Sequence, residues 1–353
     1  MSNRHYIIVT GGAGYVGSLL IEHLHKMHFL REHIICVDPG WFGFNEVHKT
    51  CMLQKNICRT SIKSFTASQE HMKKICEETE AIIHLGGLSN DPMADYDAEA
   101  NNDVNFVQTT YLVEFCKNWG IPRFIFASSA SVYGDMEESL CKEDGFISPK
   151  SNYAMSKAKA EDHIIKNIDK TFRPIILRKG TLYGVSPRMR LDLAINTMVV
   201  NAFRFGKIEL YGGGENWRPL THVMDAVRLY EFLATMDYSS YKQLSGKIYN
   251  VVGENFRMSE LGLRLADITK VNVVPRYDML KDVRTYRLDG TLLRSLSLFD
   301  FSESKKLTKT VNDLLYWMKG KDLDNPIYWN MRHIKTLEKS CEIMGIKFDL
   351  MNR

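Results

Sequence analysis

The sequence predicts an α/β protein built on a doubly wound parallel sheet, and two observations support this. Short apolar runs rich in β-branched residues have the composition of buried parallel strands. They lie near residues 5–10, 33–38, 81–86, 124–128 and 174–178. Helical patterns alternate with these runs, including residues 15–29, 99–119 and 153–168. Because strands and helices alternate, we expect one parallel sheet covered by helices on both faces.

The turn between the first strand and the first helix contains Gly11, Gly14 and Gly17. The first glycine allows a tight turn, the second lets the backbone approach a pyrophosphate, and the third lets helix and strand pack closely. A phosphate would lie at the N-terminus of the helix, where backbone N–H groups are free. Strand, glycines and helix in this order predict a Rossmann-type dinucleotide site.

The second predicted strand ends in Asp38, about 20 residues after the glycines, where a carboxylate can bond both hydroxyls of an adenosine ribose. The residues that follow, Pro39 to Phe42, include no cation that could receive a 2′-phosphate. The sequence therefore favours NAD over NADP as the cofactor.

Tyr153 and Lys157 lie four residues apart, which places them about one turn apart on the same face of a predicted helix. A lysine ammonium in that position favours the phenolate form of the tyrosine. Tyr153 could then act as a base near neutral pH, well below its usual pKa of about 10. Since the pair follows the glycine motif, it predicts a redox site that uses a dinucleotide.

Composition and charge indicate a globular enzyme without a nucleic-acid or membrane partner. The 353 residues are 44% apolar, which is ordinary for a packed core. A net charge of +4 is too small to indicate nucleic-acid binding. No segment has the length of a membrane span or the pattern of a signal peptide. The seven cysteines lack CxxC spacing, so we expect reduced thiols, no metal site and a cytoplasmic location.

The pattern changes after about residue 180 to short strands, helices and loops, without repeats, low-complexity tracts or an obvious flexible linker. We therefore expect an NAD-binding Rossmann domain over residues 1–180 and a smaller α/β substrate-binding domain over residues 181–353. The tail from about Asp322, with a helical pattern from Arg332 to Met344, indicates no function.

Further short motifs follow the glycine turn and Asp38, and together these landmarks cover about residues 5 to 290. They are His84-Leu-Gly-Gly-Leu88, Asn105 with Thr109, Ser128-Ser-Ala-Ser-Val-Tyr-Gly134, Tyr153 with Lys157, Leu177-Arg178, Tyr183-Gly184 and Arg218-Pro-Leu-Thr-His-Val-Met-Asp225. In this order they resemble the extended short-chain dehydrogenase/reductase family. Within that family the chain is similar to the NAD-dependent nucleotide-sugar epimerases and dehydratases typified by UDP-galactose 4-epimerase.

The resemblance implies a nucleoside-diphosphate sugar as substrate and Ser129, Tyr153 and Lys157 as catalytic residues. Tyr153 would remove a proton from a sugar hydroxyl, Lys157 would bond the nicotinamide ribose, and Ser129 would stabilise the sugar oxygen. The other cofactor residues it implies are Gly11, Gly14, Tyr15, Val16, Gly17, Asp38, Asn56, Ile57, Leu85, Gly86, Gly87 and Asn105. It also implies a homodimer in which helices 99–119 and 153–168 form a four-helix interface.

The resemblance also implies a set of substrate residues. They are Ser131, Thr181, Asn196, Arg218, Asp282 and Arg284. Arg218 would pair with the diphosphate of the nucleotide sugar. The chain departs from the family pattern at Pro219, where relatives have an acid, and at Met279, where they have a second phosphate arginine. Arg284 or Arg276 could take over that second position, or either could be a solvated surface charge.

Two further departures concern specificity. Thr181 stands where relatives usually have an asparagine, and Ser89 stands where some epimerases have a lysine near the cofactor pyrophosphate. The loop from Tyr183 to Arg190 could contact the sugar or its nucleotide, or it could be a basic surface loop.

The residues after Ser129 discriminate between reactions. Related 4,6-dehydratases carry an Asp-Glu pair there because eliminating water needs a second acid and base, whereas this chain has Ala130 and Ser131. Serine, tyrosine and lysine suffice for 4-epimerisation through a transient 4-keto sugar, which the sequence favours. A keto-sugar reductase using NAD(P)H needs the same three groups and stays open. The nonenzymatic alternative is an NAD-binding sensor or scaffold, which the intact catalytic residues disfavour.

Overall fold

The computed structural model describes residues 4–27, 33–44, 57–68, 72–136, 140–277, 284–297 and 299–350. Two of the predicted site residues, Asn56 and Asp282, lie outside the described residues, as does Met279.

The strands alternate with helices through the first half of the chain. In chain order the strands are β1 (Tyr6–Thr10), β2 (Ile34–Val37), β3 (Ile57–Cys58), β4 (Thr79–His84), β5 (Arg123–Ser129), β6 (Leu140–Cys141), β7 (Ile175–Lys179), β8 (Thr181–Tyr183), β9 (Lys207–Tyr211), β10 (Trp217–His222), β11 (Lys247–Val251), β12 (Glu254–Arg257), β13 (Asn272–Arg276) and β14 (Arg287–Leu288).

The helices are similarly distributed along the chain. They are α1 (Tyr15–Lys26), α2 (Ile62–Ala67), α3 (Lys73–Glu77), α4 (Asp91–Tyr96), α5 (Ala98–Asn102), α6 (Gln108–Trp119), α7 (Asn152–Lys166), α8 (Ala194–Phe205), α9 (Val223–Thr235), α10 (Tyr238–Leu244), α11 (Met258–Thr269), α12 (Thr291–Ser295), α13 (Leu307–Met318) and α14 (Asn330–Ile343). A π-helical turn, Asp103–Val107, joins α5 to α6.

The central sheet is parallel throughout its described strands, in the order β11-β7-β5-β4-β1-β2-β3. Its two faces are covered by different helices. Ile7 and Val9 of β1 pack into one apolar cluster with α1 and α9, whereas Ile8 packs into another with α6 and α7. Alternate residues of a strand point to opposite faces, so the sheet is buried on both sides. The predicted doubly wound fold is confirmed.

The predicted strands and helices of the first half are confirmed, with ends that differ by a few residues. Two strands of the sheet were not predicted. β3 is only two residues long, and β11 comes from residues 247–251, where the regular alternation of strands and helices has ended. The central sheet thus takes an edge strand from beyond residue 180, and the division into two domains stays a proposal.

The remaining strands form small sheets beside the central one. β8 pairs with β10 in parallel and β10 with β12 antiparallel, while β9 pairs with β13 and β6 with β14. The largest apolar core runs from β1 and α1 into α8, α9 and α11 without interruption. Among the described helices, none is long and apolar enough to cross a membrane.

Candidate active site

A cavity of about 910 Å³ opens at the carboxyl ends of β1, β4 and β5. The strand order reverses there, because the chain runs from β1 to β2 in one direction and returns through β4 in the other. Ligands of doubly wound sheets bind at this reversal. The walls come from the glycine turn and strand ends on one side, and from β8, β9, α8 and the start of α14 on the other.

The turn between β1 and α1 brings backbone atoms to the cavity. Gly11 has a φ of +68°, and a Cβ there would lie 2.7 Å from the backbone nitrogen of Gly86. A Cβ on Gly17 would clash with the carbonyl oxygen of Gly11, so this close packing of helix on turn requires glycine. Gly14, Tyr15 and Val16 also line the cavity, and the first turn of α1 has no side-chain cap. The helix N-terminus therefore faces the cavity.

Asp38 follows β2 and lines the cavity beside the glycine turn. Its Oδ2 accepts a hydrogen bond from the Ala13 nitrogen at 3.0 Å, and its Oδ1 accepts one from the Gly40 nitrogen at 2.7 Å. Burial raises the pKa of Asp38, and these two N–H groups oppose that shift. The carboxylate is thus held in one orientation.

The turn after β4 forms the wall next to the glycine turn, with Leu85, Gly86 and Gly87 lining the cavity. Asn105 lies behind it in the π-helical turn, fully buried, and donates from Nδ2 to the Leu88 carbonyl at 3.1 Å. Asn105 is not among the cavity-lining residues, so the structure assigns it to positioning this turn. Ile57 begins the edge strand β3, opposite Cys36.

The three predicted catalytic residues meet on the cavity wall. Ser129 ends β5, while Tyr153 and Lys157 lie one turn apart on α7. The Ser129 hydroxyl acts on Tyr153 and favours its ionised form. Lys157 is 4% exposed, and its Nζ lies 4.9 Å from the centre of the Phe126 ring. All three line the same cavity.

The ionisation of the pair differs from the sequence prediction. Burial raises the pKa of Tyr153 to about 12, against the opposing effect of the Ser129 hydroxyl. Burial also lowers the pKa of Lys157 to about 8, against the opposing effect of the Glu161 charge. The expected shift of the Tyr153 pKa towards neutrality is therefore outweighed by desolvation, which residue spacing could not reveal.

A buried ion pair ties α7 to the sheet behind these residues. Arg178, near the end of β7, places Nη2 2.7 Å from Oε2 of Glu161, and its Nε lies 3.1 Å from both carboxylate oxygens. Ser128 Oγ donates to the same carboxylate. Ser128 precedes Ser129, and Glu161 follows Lys157 by one turn. The pair therefore fixes the position of α7 relative to β5.

Four of the predicted substrate residues, Ser131, Thr181, Arg218 and Arg284, line the cavity. Ser131 Oγ donates to Ser129 Oγ at 2.9 Å and so orients Ser129. Arg218 is buried, donates from Nη1 to the Trp217 carbonyl at 2.9 Å and hydrogen-bonds to the Arg284 carbonyl.

Arg284 reaches the N-terminus of the catalytic helix. Its Nη2 lies 2.8 Å from Oδ2 of Asp91. The other oxygen of Asp91 accepts a hydrogen bond from Ser151, which caps α7. Asp91 also raises the pKa of Tyr153, so the Arg284 pair lies close to the catalytic tyrosine.

Asn196 lies behind the cavity wall rather than in it. It is fully buried, its Oδ1 accepts from the Gly184 nitrogen at 3.0 Å, and its Nδ2 donates to the Arg190 carbonyl at 2.8 Å. The amide therefore holds both ends of the loop 184–190. Asn196 is absent from the cavity lining, and both ends of its amide are bound to backbone groups.

Four cations outside the predicted site set also line the cavity: Lys179, Arg188, Arg190 and Arg332. Arg190 is paired with Asp192, with Nε–Oδ1 and Nη2–Oδ2 distances of 2.9 Å, and its Nη1 donates to Ser89 Oγ at 3.1 Å. Some relatives have a lysine at the position of Ser89. In this chain a cation from the second half, Arg190, reaches the same position.

Lys179 enters the site because β7 pairs with β5. Its register partner is Ser129, and its Nζ donates to the Ser128 carbonyl at 3.0 Å. Burial and the nearby charge of Lys157 lower the pKa of Lys179 well below its usual value. Only the strand pairing reveals this neighbour, since the two strands are far apart in sequence. In the ranges that the structure covers, no group of three or more His, Cys, Asp or Glu side chains could hold a metal ion.

Comparison with known proteins agrees with this geometry. The family described as NAD dependent epimerase/dehydratase matches residues 7–251. This chain belongs to that family. NAD is accordingly its cofactor, and the fold and the order of its motifs are those of the extended short-chain dehydrogenases/reductases.

Individual members of the family are distant relatives. The dTDP-D-glucose 4,6-dehydratase of Dictyostelium discoideum is 28% identical over 272 residues, which cover 72% of this chain and 59% of that protein. The uncharacterized UDP-glucose epimerase YtcB of Bacillus subtilis (strain 168) is 28% identical over 232 residues, covering 63% of this chain and 70% of that protein. The similarity thus spans less than two thirds of the Dictyostelium protein.

The fold is shared with solved structures of the family. DesIV from Streptomyces venezuelae, a dTDP-glucose 4,6-dehydratase with NAD bound, has a TM-score of 0.73 at 22% identity. The match covers 93% of this chain and 99% of that chain. At this identity the comparison establishes the fold.

The residues of this family member fit NAD. The uncapped N-terminus of α1 faces the cavity, where its N–H groups would hold a diphosphate. The fixed carboxylate of Asp38 would accept from the adenosine ribose hydroxyls. Lys157 would donate to the nicotinamide ribose. A buried guanidinium atom, Nε of Arg188, has no partner among the described residues, although its side chain lines the cavity.

Proposed function

We propose that this protein is a 4-epimerase that acts on a nucleoside-diphosphate sugar through a transient 4-keto sugar. One observation carries the proposal: Ser129, Tyr153 and Lys157 line the same NAD-type cavity, and Ala130 and Ser131 follow the serine. The chemistry that NAD supplies is the acceptance of a hydride from C4 of the sugar and its return to the opposite face.

The side chains move the proton and stabilise the oxygen. Tyr153 removes the proton of the 4-hydroxyl and returns it to the reduced product. Ser129 donates a hydrogen bond to the same oxygen and stabilises its developing charge. Lys157 adds positive charge, and the Arg178 pair behind α7 keeps the helix and the strand in register. Between the two hydride transfers the keto sugar must turn to present its other face.

Dehydration would need a further acid and base, and the cavity-lining carboxylates are already bound. Asp38 is held by backbone N–H groups, Asp91 by Arg284, and Asp192 by Arg190. Glu209 accepts ion pairs from two basic side chains. Ala130, where the dehydratase pattern has a carboxylate, is buried and apolar. This arrangement supports epimerisation over elimination of water.

The basic wall formed by Arg218 and Arg284 supports a diphosphate-linked sugar as the substrate. Both line the cavity: Arg284 pairs with Asp91, which bonds the Ser151 cap of α7, and Arg218 lies on β10, which pairs with the strand of Thr181. Arginine binds phosphate oxygens through paired N–H donors, so two guanidinium groups suit a diphosphate.

The experiment that tests the proposal is incubation of the protein with a panel of nucleoside-diphosphate sugars. Mass spectrometry and proton NMR of the products then separate the reactions. An unchanged mass with inverted configuration at C4 supports the 4-epimerase. Loss of water identifies a 4,6-dehydratase, and a gain of two hydrogens from added NADH identifies a keto-sugar reductase. Either of these products, or no turnover of any sugar in the panel, contradicts the proposal.

We propose further that the protein is a cytoplasmic homodimer. Tyr111 on α6, and Met155 and Ile165 on α7, are large apolar side chains that are at least 40% exposed on adjacent helices. Pairing of these helices with a second copy would cover them. The described cysteines are free thiols, which supports a reducing compartment. We also retain the division into an NAD-binding domain over residues 1–180 and a substrate-binding domain over residues 181–353.

A further inference from the structure

The C-terminal helix α14 packs against the cofactor end of the cavity and lies after residues 7–251, which the family model matches. Ile334 of α14 lies in an apolar cluster with Leu88 and Met93, and Trp41 and Phe42 pack against this cluster. Nε2 of His333 lies 2.7 Å from the carbonyl oxygen of Trp41, and the centre of the His333 ring lies 5.1 Å from the centre of the Phe42 ring. The helix therefore holds the loop that follows Asp38.

Arg188 lies between this helix and the cavity. It is 6% exposed, and its Nη2 donates to Oδ1 of Asn330, the first residue of α14, at 2.6 Å. Its guanidinium carbon lies 3.8 Å from the centre of the Phe42 ring. The Arg188 side chain is thus held between the Asn330 amide and the face of the Phe42 ring, and it also lines the cavity.

The charge of Arg188 is not neutralised by an ion pair within the described part of the chain. Arg190, two residues later, is bound by both oxygens of Asp192, whereas Nε of Arg188 has no partner there. Burial and the charge of Arg190 lower the pKa of Arg188 to about 9. A buried cation of this kind is costly unless an anion accompanies it.

The location of Arg188 identifies which anion would fit. Its backbone nitrogen donates to Oγ of Ser18 at 3.2 Å, in the first turns of α1. Its charge acts on Asp38, which stands at the adenosine ribose position. Arg188 therefore lies beside both the helix N-terminus and Asp38, where the adenosine diphosphate part of NAD would be held.

We propose that Arg188 binds the diphosphate of NAD, and that α14, by clamping Arg188 and the 41–42 loop, keeps the cofactor bound through turnover. The retention part rests on the proposed function, because a 4-epimerase returns its hydride to the sugar and needs no exchange of cofactor. The assignment of Arg188 to the diphosphate rests only on NAD as the cofactor.

The test of Arg188 is isothermal titration of the full chain, freed of nucleotide, with NAD, NADP, ADP and adenosine. Arg188→Met should weaken the binding of NAD and ADP by about 10- to 100-fold, as expected when a charge-assisted contact is lost. Adenosine, which has no phosphate, should be unaffected, and Arg188→Lys should restore part of the loss. Lys335→Met removes an exposed charge from α14 and is the matched control.

Three outcomes would overturn this assignment. Unchanged NAD affinity in Arg188→Met contradicts it, and so does an equal loss for adenosine, which would mean that Arg188 only supports the fold. A loss confined to NADP would mean that the guanidinium reads a 2′-phosphate. Circular dichroism melts of each variant identify misfolding, and Arg188→Lys keeps the assignment testable if Arg188→Met does not fold.

The test of retention is the amount of NAD that remains per protein after gel filtration, measured by chromatography of the denatured sample. Unmodified protein should keep its NAD, Asn330→Ala should lose most of it, and Lys335→Met should behave as the unmodified protein. Unmodified protein that elutes free of NAD would overturn retention. Neither assay contains a sugar nucleotide, so these results are independent of which sugar product forms.

Discussion

Arg178 and Glu161 form a buried ion pair, 2.7 Å apart, at the junction of the catalytic helix with the central sheet. Neither side chain is more than 4% exposed. Glu161 stands one turn after Lys157 and opposes the effect of burial on the lysine's pKa. One carboxylate therefore links the position of α7 to the charge of a catalytic residue.

The first prediction follows from this pair. Arg178→Met leaves the Glu161 carboxylate buried without its main partner, so the free energy of unfolding should fall by on the order of 3–5 kcal/mol. Urea denaturation measures it. The matched control is Arg264→Met, which breaks a pair with Glu260 whose two side chains are about half exposed and should change stability by less than about 0.5 kcal/mol. Equal effects of the two substitutions would contradict the structural role given to Arg178.

The first half of the fold could be predicted because its elements are defined locally. Runs such as Tyr6–Thr10 contain consecutive β-branched residues that are buried on both faces, which is typical of a strand in a parallel sheet. β11 could not be predicted in the same way. Its pairing with β7 joins residues about 70 positions apart, and nothing in Lys247–Val251 itself distinguishes a central-sheet strand from one in a small side sheet.

The residues of the candidate site also fall into those that local motifs predict and those that only long-range contacts bring together. The glycines, Asp38, Tyr153 and Lys157 belong to motifs with fixed spacing, so they could be predicted from the sequence. Arg188 and Asn330 meet across 142 positions of the chain. No periodicity or spacing indicates such a contact, which arises only when the second half of the chain folds back over Asp38.

The second prediction concerns the stability cost of Lys157. Its folded pKa of about 8 lies below the usual value of 10.5, so the unfolded chain binds more protons between these values and stability rises with pH across that window. Lys157→Met removes the buried cation. The NAD-free protein should gain on the order of 2–4 kcal/mol at pH 7, and less than about 1 kcal/mol at pH 10. Urea denaturation at the two pH values measures this.

The same substitution should damage function. Lys157→Met removes a ribose contact and a positive charge beside Tyr153, so NAD affinity and turnover should fall together. Lys335→Met, on the exposed side of α14, is the control for loss of a lysine charge. A variant that is less stable at pH 7 than the unmodified protein would show that Lys157 is held favourably in the fold, contrary to the direction of its pKa.

The third prediction concerns cofactor choice. In its proposed role Asp38 accepts hydrogen bonds from the ribose hydroxyls and repels a 2′-phosphate, so the unmodified protein should bind NAD more tightly than NADP. Asp38→Ala should weaken the binding of NAD by about 10-fold and reduce the discrimination against NADP. Titration calorimetry measures both, with Asp267→Ala as an exposed-carboxylate control. Tighter binding of NADPH than of NADH by the unmodified protein would sink the prediction.

The fourth prediction concerns assembly. If α6 and α7 pair across a two-fold axis, the protein should scatter light as a dimer at micromolar concentration. Met155→Glu places a charge on the proposed interface and should yield monomers, because burying an unpaired carboxylate is costly. Leu263→Glu, on an exposed face of α11, should leave the dimer intact. A monomeric unmodified protein contradicts the proposed homodimer.

The last prediction isolates the catalytic base. Tyr153→Phe removes the phenolic oxygen and keeps the ring, so folding and NAD affinity should persist while turnover falls by on the order of 100-fold or more. Ser129→Ala should mainly slow turnover, since the serine stabilises charge on the sugar oxygen. Tyr277→Phe, on an exposed tyrosine, is the matched control. Because burial raises the pKa of Tyr153 to about 12, turnover of the unmodified protein should rise with pH through the neutral range. Unchanged turnover in Tyr153→Phe on the identified substrate would require a different base, and it would favour a protein that binds NAD without using it.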